Sequence, residues 1–303
     1  MGSSVSLTFA GPVCHRLTLS PLRRGPGDPC FRDDVEGTIW RTSLMASGAV
    51  TARISRGGPA TVDCEAWGPG AAEFTDGLPA LLGVDDDASS FIPQHPVIAR
   101  AHRRVPHLRL GRTGRVLEAL VPAVLEQRVY GSDAHRAWRR LVGKYGAPAP
   151  GPAPDRMRVP PTAEAWKRIP SWEFQRANVD PGRARTIIGC AQRADAVERL
   201  VGRTAEQARA ALMSLPGVGV WTAAETAQRA FGDADALSVG DYHLAKVVGR
   251  TLLGHPIDDA QMLELLEPVA PHRHRAVRVL EASGMAVYAR YGPRVPIPNL
   301  AKM

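Results

Sequence analysis

Short runs of alternating apolar and polar residues fill the first 80 positions of the chain. Four such runs, separated by Gly and Pro clusters, cover residues 4–10, 37–46, 48–55 and 60–68. Alternation with a period of two is typical of strands that bury one face. The pattern therefore predicts an antiparallel sheet at the N-terminal end of the chain.

The hydrophobic period changes to that of helices further along. Apolar residues recur at helical spacing behind Thr113, a predicted N-cap, at Val116, Leu117, Leu120, Val121, Val124 and Leu125. Pro122 predicts a kink in this helix. A second helix is expected from Ser132 to Gly146, followed by a Pro-rich loop. Further helices are predicted over residues 183–192, 204–214, 220–230, 242–253, 259–267 and 273–283. Sheet followed by helices indicates the α+β class.

Composition narrows the class of protein further. The chain has 303 residues with 44% hydrophobic residues, and no apolar run approaches the roughly 20 residues that cross a bilayer. We therefore expect a soluble, cytoplasmic protein with no membrane partner. The four cysteines form no C-x-x-C pair, so the sequence signals neither a zinc site nor an iron–sulfur cluster.

Positive charge is concentrated in the middle of the chain. Residues 101–200 carry 17 Arg and 2 Lys against 9 Asp and Glu, a net charge of +10, while the whole chain carries +8. A basic segment in an otherwise balanced protein suits binding to a phosphate backbone. A solvated basic face remains the alternative.

The stretch "SLPGVG" lies between two predicted helices, with Thr204 and Gln207 forming a capping box ahead of it. Its glycines permit a tight turn and leave backbone N–H groups uncovered at the start of the next helix. Such groups bind phosphate without reading sequence. An ordinary helix–helix turn is the alternative.

The residues "LPGVGVWTA" followed by "DALSVGDYHLAK" resemble the helix-hairpin-helix DNA glycosylase superfamily. Over roughly residues 80–285 the chain looks most like the bacterial 3-methyladenine DNA glycosylase II type. The resemblance implies an N-terminal mixed α/β domain with an antiparallel sheet at 1–88 and a two-lobed helical core at 89–303, with the hairpin at 213–222. It also implies a monomeric, nucleoid-associated enzyme of base excision repair that binds double-stranded DNA with a damaged base and requires no cofactor.

Asp241 matches the catalytic Asp of this family. Cleavage of a base from deoxyribose develops positive charge on the sugar, which a carboxylate beside C1′ stabilises. The simpler interpretation is that Asp241 only caps the helix that follows.

By resemblance, Gln127 and Arg128 occupy the positions that insert into DNA, with Arg128 as the plug that fills the space of the flipped base. Arg128 could equally be a surface residue. The expected backbone-binding residues of the hairpin are Leu215, Gly217, Val218, Gly219 and Thr222. The family's hairpin often holds a structural monovalent cation, here through the carbonyls of Met213, Leu215 and Val218.

The resemblance places Trp221, Glu225, Tyr242 and His272 at the base pocket. Trp221 stands where bifunctional relatives carry a Schiff-base lysine, so the chain is expected to lack β-lyase activity. A core position is the alternative for Trp221. Glu225 and His272 replace aromatics of the alkylation-repair type, and Glu225 could attract a cationic alkylated purine or simply be solvated.

The expected function is therefore that of a monofunctional glycosylase for a damaged, alkylated purine. A non-enzymatic relative that binds damaged DNA and a glycosylase for a different base lesion remain as alternatives.

Overall fold

The computed structural model describes residues 2–289 and begins with a five-stranded antiparallel sheet. Its strands lie in the order β1-β5-β4-β3-β2. Their bounds are β1 Gly2–Thr8, β2 Phe31–Asp33, β3 Ile39–Met45, β4 Gly48–Gly58 and β5 Thr61–Trp67. The four runs of alternating residues thus form β1, β3, β4 and β5, which confirms the predicted sheet. The three-residue edge strand β2 is too short to show a period.

Two helices accompany the sheet, α1 at His15–Leu19 and α2 at Ala71–Leu81. Helix α2 packs on β1, β4 and β5, and its Phe74 and Leu78 belong to the same buried cluster as Ile54 and Val62 of the sheet. The buried residues of this cluster run from Phe9 to Leu82. The division of the chain after residue 88 stays a prediction.

Twelve helices follow among the described residues: α3 Pro96–Arg104, α4 Val116–Leu125, α5 Gly131–Tyr145, α6 Ala163–Arg168, α7 Ser171–Arg176, α8 Pro181–Gln192, α9 Ala194–Glu198, α10 Ala205–Met213, α11 Val220–Ala230, α12 Leu244–Leu253, α13 Asp259–Leu266 and α14 Arg273–Ala282. A small hairpin of β6 Ala147–Pro148 and β7 Arg158–Val159 lies in the Pro-rich loop. Sheet and helices together confirm the α+β class. Within residues 2–289, no helix combines the length and the apolar character needed to span a bilayer.

The helices bury two main hydrophobic clusters. One is built around α4, whose residues Leu120 and Val124 are fully buried and which packs against α11 and α8. The other joins α3 to α12, α13 and α14, with Met262 and Leu266 at its centre. The two clusters correspond to the two lobes that the resemblance implies, and α11 begins beside the first of them.

The start of α4 differs from the prediction. Arg115, not Thr113, occupies the N-cap position, and the Thr113 hydroxyl accepts a hydrogen bond from the Arg115 N–H at 3.2 Å. The first helical N–H groups, of Val116 and Leu117, donate to the carboxylate of Glu198, each at 3.0 Å. A distant carboxylate thus supplies the cap, which no local sequence pattern could indicate. The helix continues through Pro122 to Leu125.

Candidate active site and nucleic-acid interface

The hairpin between α10 and α11 is a tight turn that depends on Gly217. Gly217 has φ +84°, and a Cβ at this position would lie 2.0 Å from Oγ1 of Thr186 on α8. The N–H of Val218 donates to the Leu215 carbonyl at 3.0 Å, and the Val218 side chain is buried. Close packing against α8 therefore fixes the turn and requires a glycine at 217. The capping box of Thr204 and Gln207 at the start of α10 is confirmed.

The N-terminus of α11 is open to solvent. Gly219 is the N-cap residue and offers no side-chain hydrogen bond, while the next residue, Val220, is 54% exposed. The first N–H groups of an α-helix have no partner within the helix, and the helix dipole gives this end a partial positive charge. The arrangement suits an anion such as a backbone phosphate.

Gln127 joins this hairpin to the loop that follows α4. Its side-chain Nε2 donates to the Gly217 carbonyl at 2.9 Å and to the Thr222 hydroxyl at 2.8 Å. The neighbouring residue, Arg128, is exposed and has φ +53°, a left-handed conformation that is uncommon for a residue with a side chain. The side chain of Gln127 is therefore used within the protein, whereas Arg128 projects beside the hairpin.

The carboxylate of Asp241 is held by three donors. Its Oδ1 accepts the N–H groups of His243 at 2.7 Å and Leu244 at 2.9 Å, and its Oδ2 accepts the indole N–H of Trp221 at 3.1 Å. The N-cap position of α12 is held by His243, and the helix begins at Leu244, two residues later than predicted. Asp241 lies two residues before the N-cap, yet its side chain binds the first N–H groups of the helix, so the capping alternative holds for the contact and not for the position. It is compatible with a second role because Asp241 also faces a cavity.

That cavity has a volume of about 340 Å³ and lies between the N-terminal sheet region and helices α11, α12 and α14. This volume lies in the lower part of the range of roughly 300–1,000 Å³ that is usual for small-molecule pockets. The polar side chains that line it are Thr18, Arg109, Glu225, Gln228, Arg229, Ser238, Asp241, His243, His274, Arg278, Glu281 and Tyr288. The cavity therefore combines space for a small molecule with the carboxylate of Asp241, which lies at the start of a helix.

Comparison with solved structures identifies this architecture. The chain is similar to the 3-methyladenine DNA glycosylase from Archaeoglobus fulgidus, with a TM-score of 0.75 and 16% identity, over 93% of this chain and 100% of that one. It is also similar to the Clostridium acetobutylicum 8-oxoguanine glycosylase/lyase, with a TM-score of 0.71 and 12% identity, over 92% and 96% of the two chains. The chain has the helix-hairpin-helix glycosylase fold. No family model matches it.

A curated relative adds similarity in sequence. A Mycobacterium tuberculosis protein described as a probable bifunctional transcriptional activator/DNA repair enzyme AlkA is 35% identical over 176 residues, which cover 54% of this chain and 34% of the relative. The chain thus spans about a third of the length of the curated relatives it matches.

Within the helix-hairpin-helix glycosylase fold, Glu225 lines the cavity and is not solvated. Its side chain is 14% exposed, its Oε2 lies 2.8 Å from Nη1 of Arg229, and its Oε1 accepts the hydroxyl of Ser238 at 2.5 Å. The solvated alternative is therefore wrong. Both oxygens are engaged within the protein, so the carboxylate is not an unpaired counter-charge for a cationic base.

Trp221 and Tyr242, both predicted in the base pocket, do not line the cavity. Trp221 lies behind Asp241 and donates to its carboxylate. Tyr242 is 68% exposed, and the ammonium of Lys246 lies 3.8 Å from the centre of its ring. The fold therefore assigns Trp221 to supporting Asp241 and leaves Tyr242 on the surface.

His272 also lies away from the cavity, which corrects the prediction that it lines the base pocket. Its imidazole is buried, with Nε2 2.7 Å from the hydroxyl of Ser90 and Nδ1 accepting from Nε of Arg275 at 3.2 Å. It packs edge-on against Phe91. Burial and the guanidinium of Arg275 lower the pKa of His272, so this side chain is a neutral part of the core.

Sequence reasoning did not find several residues that line the cavity. His274, Arg278 and Glu281 follow His272 on α14, and Arg109 comes from the loop after α3. Two of them, Arg278 and Glu281, lie one turn apart and form an ion pair at 2.8 Å. The spacing of residues 274, 278 and 281 places them on one helix face, which is a signal in the sequence. Half of the residues of α14 are polar, however, so this spacing does not distinguish these three from the others.

The cation site expected at the carbonyls of Met213, Leu215 and Val218 stays a prediction. The Leu215 carbonyl accepts the Val218 N–H, which uses one of its two lone pairs and leaves the other for a ligand. Among residues 2–289, no three His, Cys, Asp or Glu side chains cluster as a metal site would require.

Proposed function

We propose that the chain is a DNA glycosylase that hydrolyses the N-glycosidic bond of a flipped, damaged purine. The position of Asp241 carries this proposal. Its carboxylate borders the cavity at the start of α12. The indole of Trp221, the second residue of α11, holds Oδ2 of this carboxylate close to the open N-terminus of α11. A base in the cavity and a phosphate at the hairpin would thus be bound by neighbouring elements.

The chemistry follows from the charge that develops on the sugar. As the bond between C1′ and the purine nitrogen breaks, its electron pair leaves with the base and C1′ becomes oxocarbenium-like. The Asp241 carboxylate stabilises this charge, and a water molecule then forms the new C1′–O bond. The proton lost by the water neutralises an anionic departing base or, when the departing base was cationic, passes through the carboxylate to solvent.

The proposed chemistry is monofunctional. A β-lyase requires an amine that forms an imine with C1′, and no lysine is among the described residues that line the cavity. Lys246, the lysine nearest to Asp241 in sequence, lies over the exposed ring of Tyr242. Alkylated purines are the proposed class of substrate, since the similar Archaeoglobus fulgidus structure is that of a 3-methyladenine DNA glycosylase.

Single-turnover base release tests the proposal. The substrates would be methylated duplex DNA and duplexes that carry 1,N6-ethenoadenine, with abasic sites detected by alkali cleavage. Asp241→Asn keeps a side chain that can cap α12, so we expect it to bind DNA while base release is lost. Asp195→Asn, at an exposed position on α9, serves as the control with unchanged release.

Base release that is equal in the native chain and Asp241→Asn would overturn the role of Asp241. No release of any base by the native chain, together with retained preference for damaged duplexes, would instead support a non-enzymatic binder of damaged DNA.

A further inference from the structure

His274 is a buried polar residue of the cavity lining. It lies on α14, is 8% exposed and lines the cavity, and it forms no hydrogen bond with any described residue. Burial, followed by the guanidinium groups of Arg278, Arg229 and Arg275, holds its pKa well below the usual value. The imidazole is therefore neutral at pH 7 and offers one N–H donor and one nitrogen acceptor.

Most other polar side chains of the part of the lining formed by α11 and the loop after it bind one another. Ser238 donates to Glu225 at 2.5 Å and accepts from Nε2 of Gln228 at 2.9 Å. The same Nε2 donates to the Ala236 carbonyl, and Nη1 of Arg229 binds Glu225. These polar groups are therefore engaged with one another. His274 and the buried Nε of Arg278, which has no hydrogen-bond partner among the described residues, remain to read a base, and only the neutral imidazole both donates and accepts.

The charges that line the cavity balance. Three arginines, Arg109, Arg229 and Arg278, face three acidic residues, Glu225, Asp241 and Glu281, and two of these form the pairs Arg229–Glu225 and Arg278–Glu281. A cationic base that enters such a site loses its hydration and finds no surplus negative charge in the wall. An uncharged base loses less hydration.

Aromatic side chains could offset that cost, because the face of Trp, Tyr or Phe attracts a cation. The described lining contains no Trp or Phe, and its one phenol, Tyr288, is 60% exposed. The cavity thus lacks the aromatic sandwich that would hold a positively charged base.

We infer that this cavity selects uncharged damaged purines over cationic ones, and that His274 is the residue that reads the edge of the base by hydrogen bonding. The inference rests on the proposed function, since it assigns the class of base that the same site accepts. A purine edge displays ring nitrogens and exocyclic groups that both accept and donate, which a neutral imidazole matches.

Paired lesions and paired variants test this inference. Single-turnover release would be compared for 1,N6-ethenoadenine, which is uncharged, and 7-methylguanine, which is cationic, each relative to spontaneous release. His274→Phe removes the hydrogen-bonding atoms and keeps a flat ring, His274→Gln keeps a donor and an acceptor, and Val277→Ala changes an apolar part of the lining. Thermal melting would establish that each variant is folded.

We expect the native chain to accelerate release of 1,N6-ethenoadenine more than that of 7-methylguanine. His274→Phe should reduce 1,N6-ethenoadenine release roughly tenfold or more and 7-methylguanine release less than about threefold. His274→Gln should recover part of the 1,N6-ethenoadenine release that His274→Phe loses. Val277→Ala should change the release of both lesions by a similar factor. An equal loss on both lesions in His274→Phe, or greater acceleration of the cationic lesion by the native chain, would overturn the inference.

Binding separates a failure of the inference from a failure of the proposed function. In the Asp241→Asn background, fluorescence anisotropy would measure the affinity for each lesion duplex with and without His274→Phe. Preference for the lesion duplexes that is insensitive to His274→Phe would overturn the inference alone. No base release by the native chain, with equal affinity for damaged and undamaged duplexes, would overturn both.

Discussion

The indole N–H of Trp221 donates to Oδ2 of Asp241 at 3.1 Å and ties α11 to the start of α12. The other carboxylate oxygen, Oδ1, accepts two backbone N–H groups of α12. The carboxylate is therefore oriented from both sides, and its direction depends on the distance between the two helices. Trp221 follows the hairpin directly, so the hairpin is joined through one helix to the indole that holds the Asp241 carboxylate.

Replacing Trp221 by Phe should slow base release without weakening DNA binding. The variant keeps the ring that packs between the helices and removes the N–H that holds Oδ2. Hydrogen bonds to charged groups contribute about 1.5–3 kcal/mol, so we expect the single-turnover rate to fall roughly tenfold or more. Duplex affinity, measured by anisotropy, should stay within about twofold, since the open N–H groups of α11 remain.

Trp40→Phe is a matched control for this variant, because Trp40 stacks on Trp67 in the sheet and does not line the cavity. Its base release should equal that of the native chain. An unchanged rate in Trp221→Phe would mean that the two backbone N–H groups suffice to orient Asp241.

Replacement by alanine should reduce the free energy of unfolding much more at Gly217 than at Gly219. At Gly217 the φ of +84° and the 2.0 Å approach of a Cβ to Thr186 oppose any side chain, so Gly217→Ala should lower the free energy of unfolding by about 1–3 kcal/mol. Gly219 has φ −98° and nothing within 4 Å of a Cβ, so Gly219→Ala should stay within about 0.5 kcal/mol. Urea denaturation measures both.

DNA binding distinguishes a structural from a functional role of Gly219. A methyl group at the open N-terminus of α11 obstructs a phosphate, so Gly219→Ala should bind duplex DNA several-fold more weakly although it is fully stable. Native affinity in Gly219→Ala would show that no phosphate approaches this N-terminus.

The sequence predicted the elements whose residues carry a local period. The strands β1, β3, β4 and β5 and the helix α11 agree with the predicted positions. Burial alternates along β1 and β5, and α11 buries one face, whereas β3 and β4 each bury three consecutive residues. The N-cap of α4 could not be predicted, since its donors bind Glu198, more than 80 residues away. Local patterns contain no information about such a partner.

The site was predicted less completely than the fold. Asp241 and the hairpin follow from one continuous motif, whereas the cavity is assembled from α1, α11, α12, α14 and the loop after α3. The resemblance predicts His272 at the base pocket, yet it is His274, two residues later, that lines the cavity. Successive helical residues point about 100° apart, so only the packing of α14 decides which of them reaches the site.

Arg128 should contribute to base release from duplex DNA. A side chain that fills the space of a flipped base offsets the unstacking cost of a few kcal/mol, which a single strand does not incur in full. Arg128→Ala should therefore slow release from a duplex roughly tenfold and release from single-stranded DNA less. Arg136→Ala, an exposed arginine paired with Asp133, is the control and should leave both rates unchanged. Equal slowing on both substrates would argue against a plug.

The buried pair of Arg24 and Glu126 should make stability depend on acid pH. The two side chains are 7% and 17% exposed and lie 3.1 Å apart. Burial alone would raise the pKa of Glu126, but Arg24, with His135 and Arg229, lowers it to about 2. A lowered pKa in the folded state stabilises the protein above the ordinary value of about 4.5, and this contribution is lost as the pH falls from there towards 2.

Glu126→Gln tests that dependence, because it leaves the buried Arg24 unpaired. At pH 7 we expect a loss of about 3–5 kcal/mol in the free energy of unfolding, measured with urea. The difference from the native chain should shrink as the pH falls from about 4.5 to 2, since the native chain then loses the same contribution. Glu164→Gln, an exposed carboxylate beside Lys167, should show almost no difference at any pH. A difference that stays constant down to pH 2 would show that the charge of Glu126 does not stabilise the fold, and that only its packing matters.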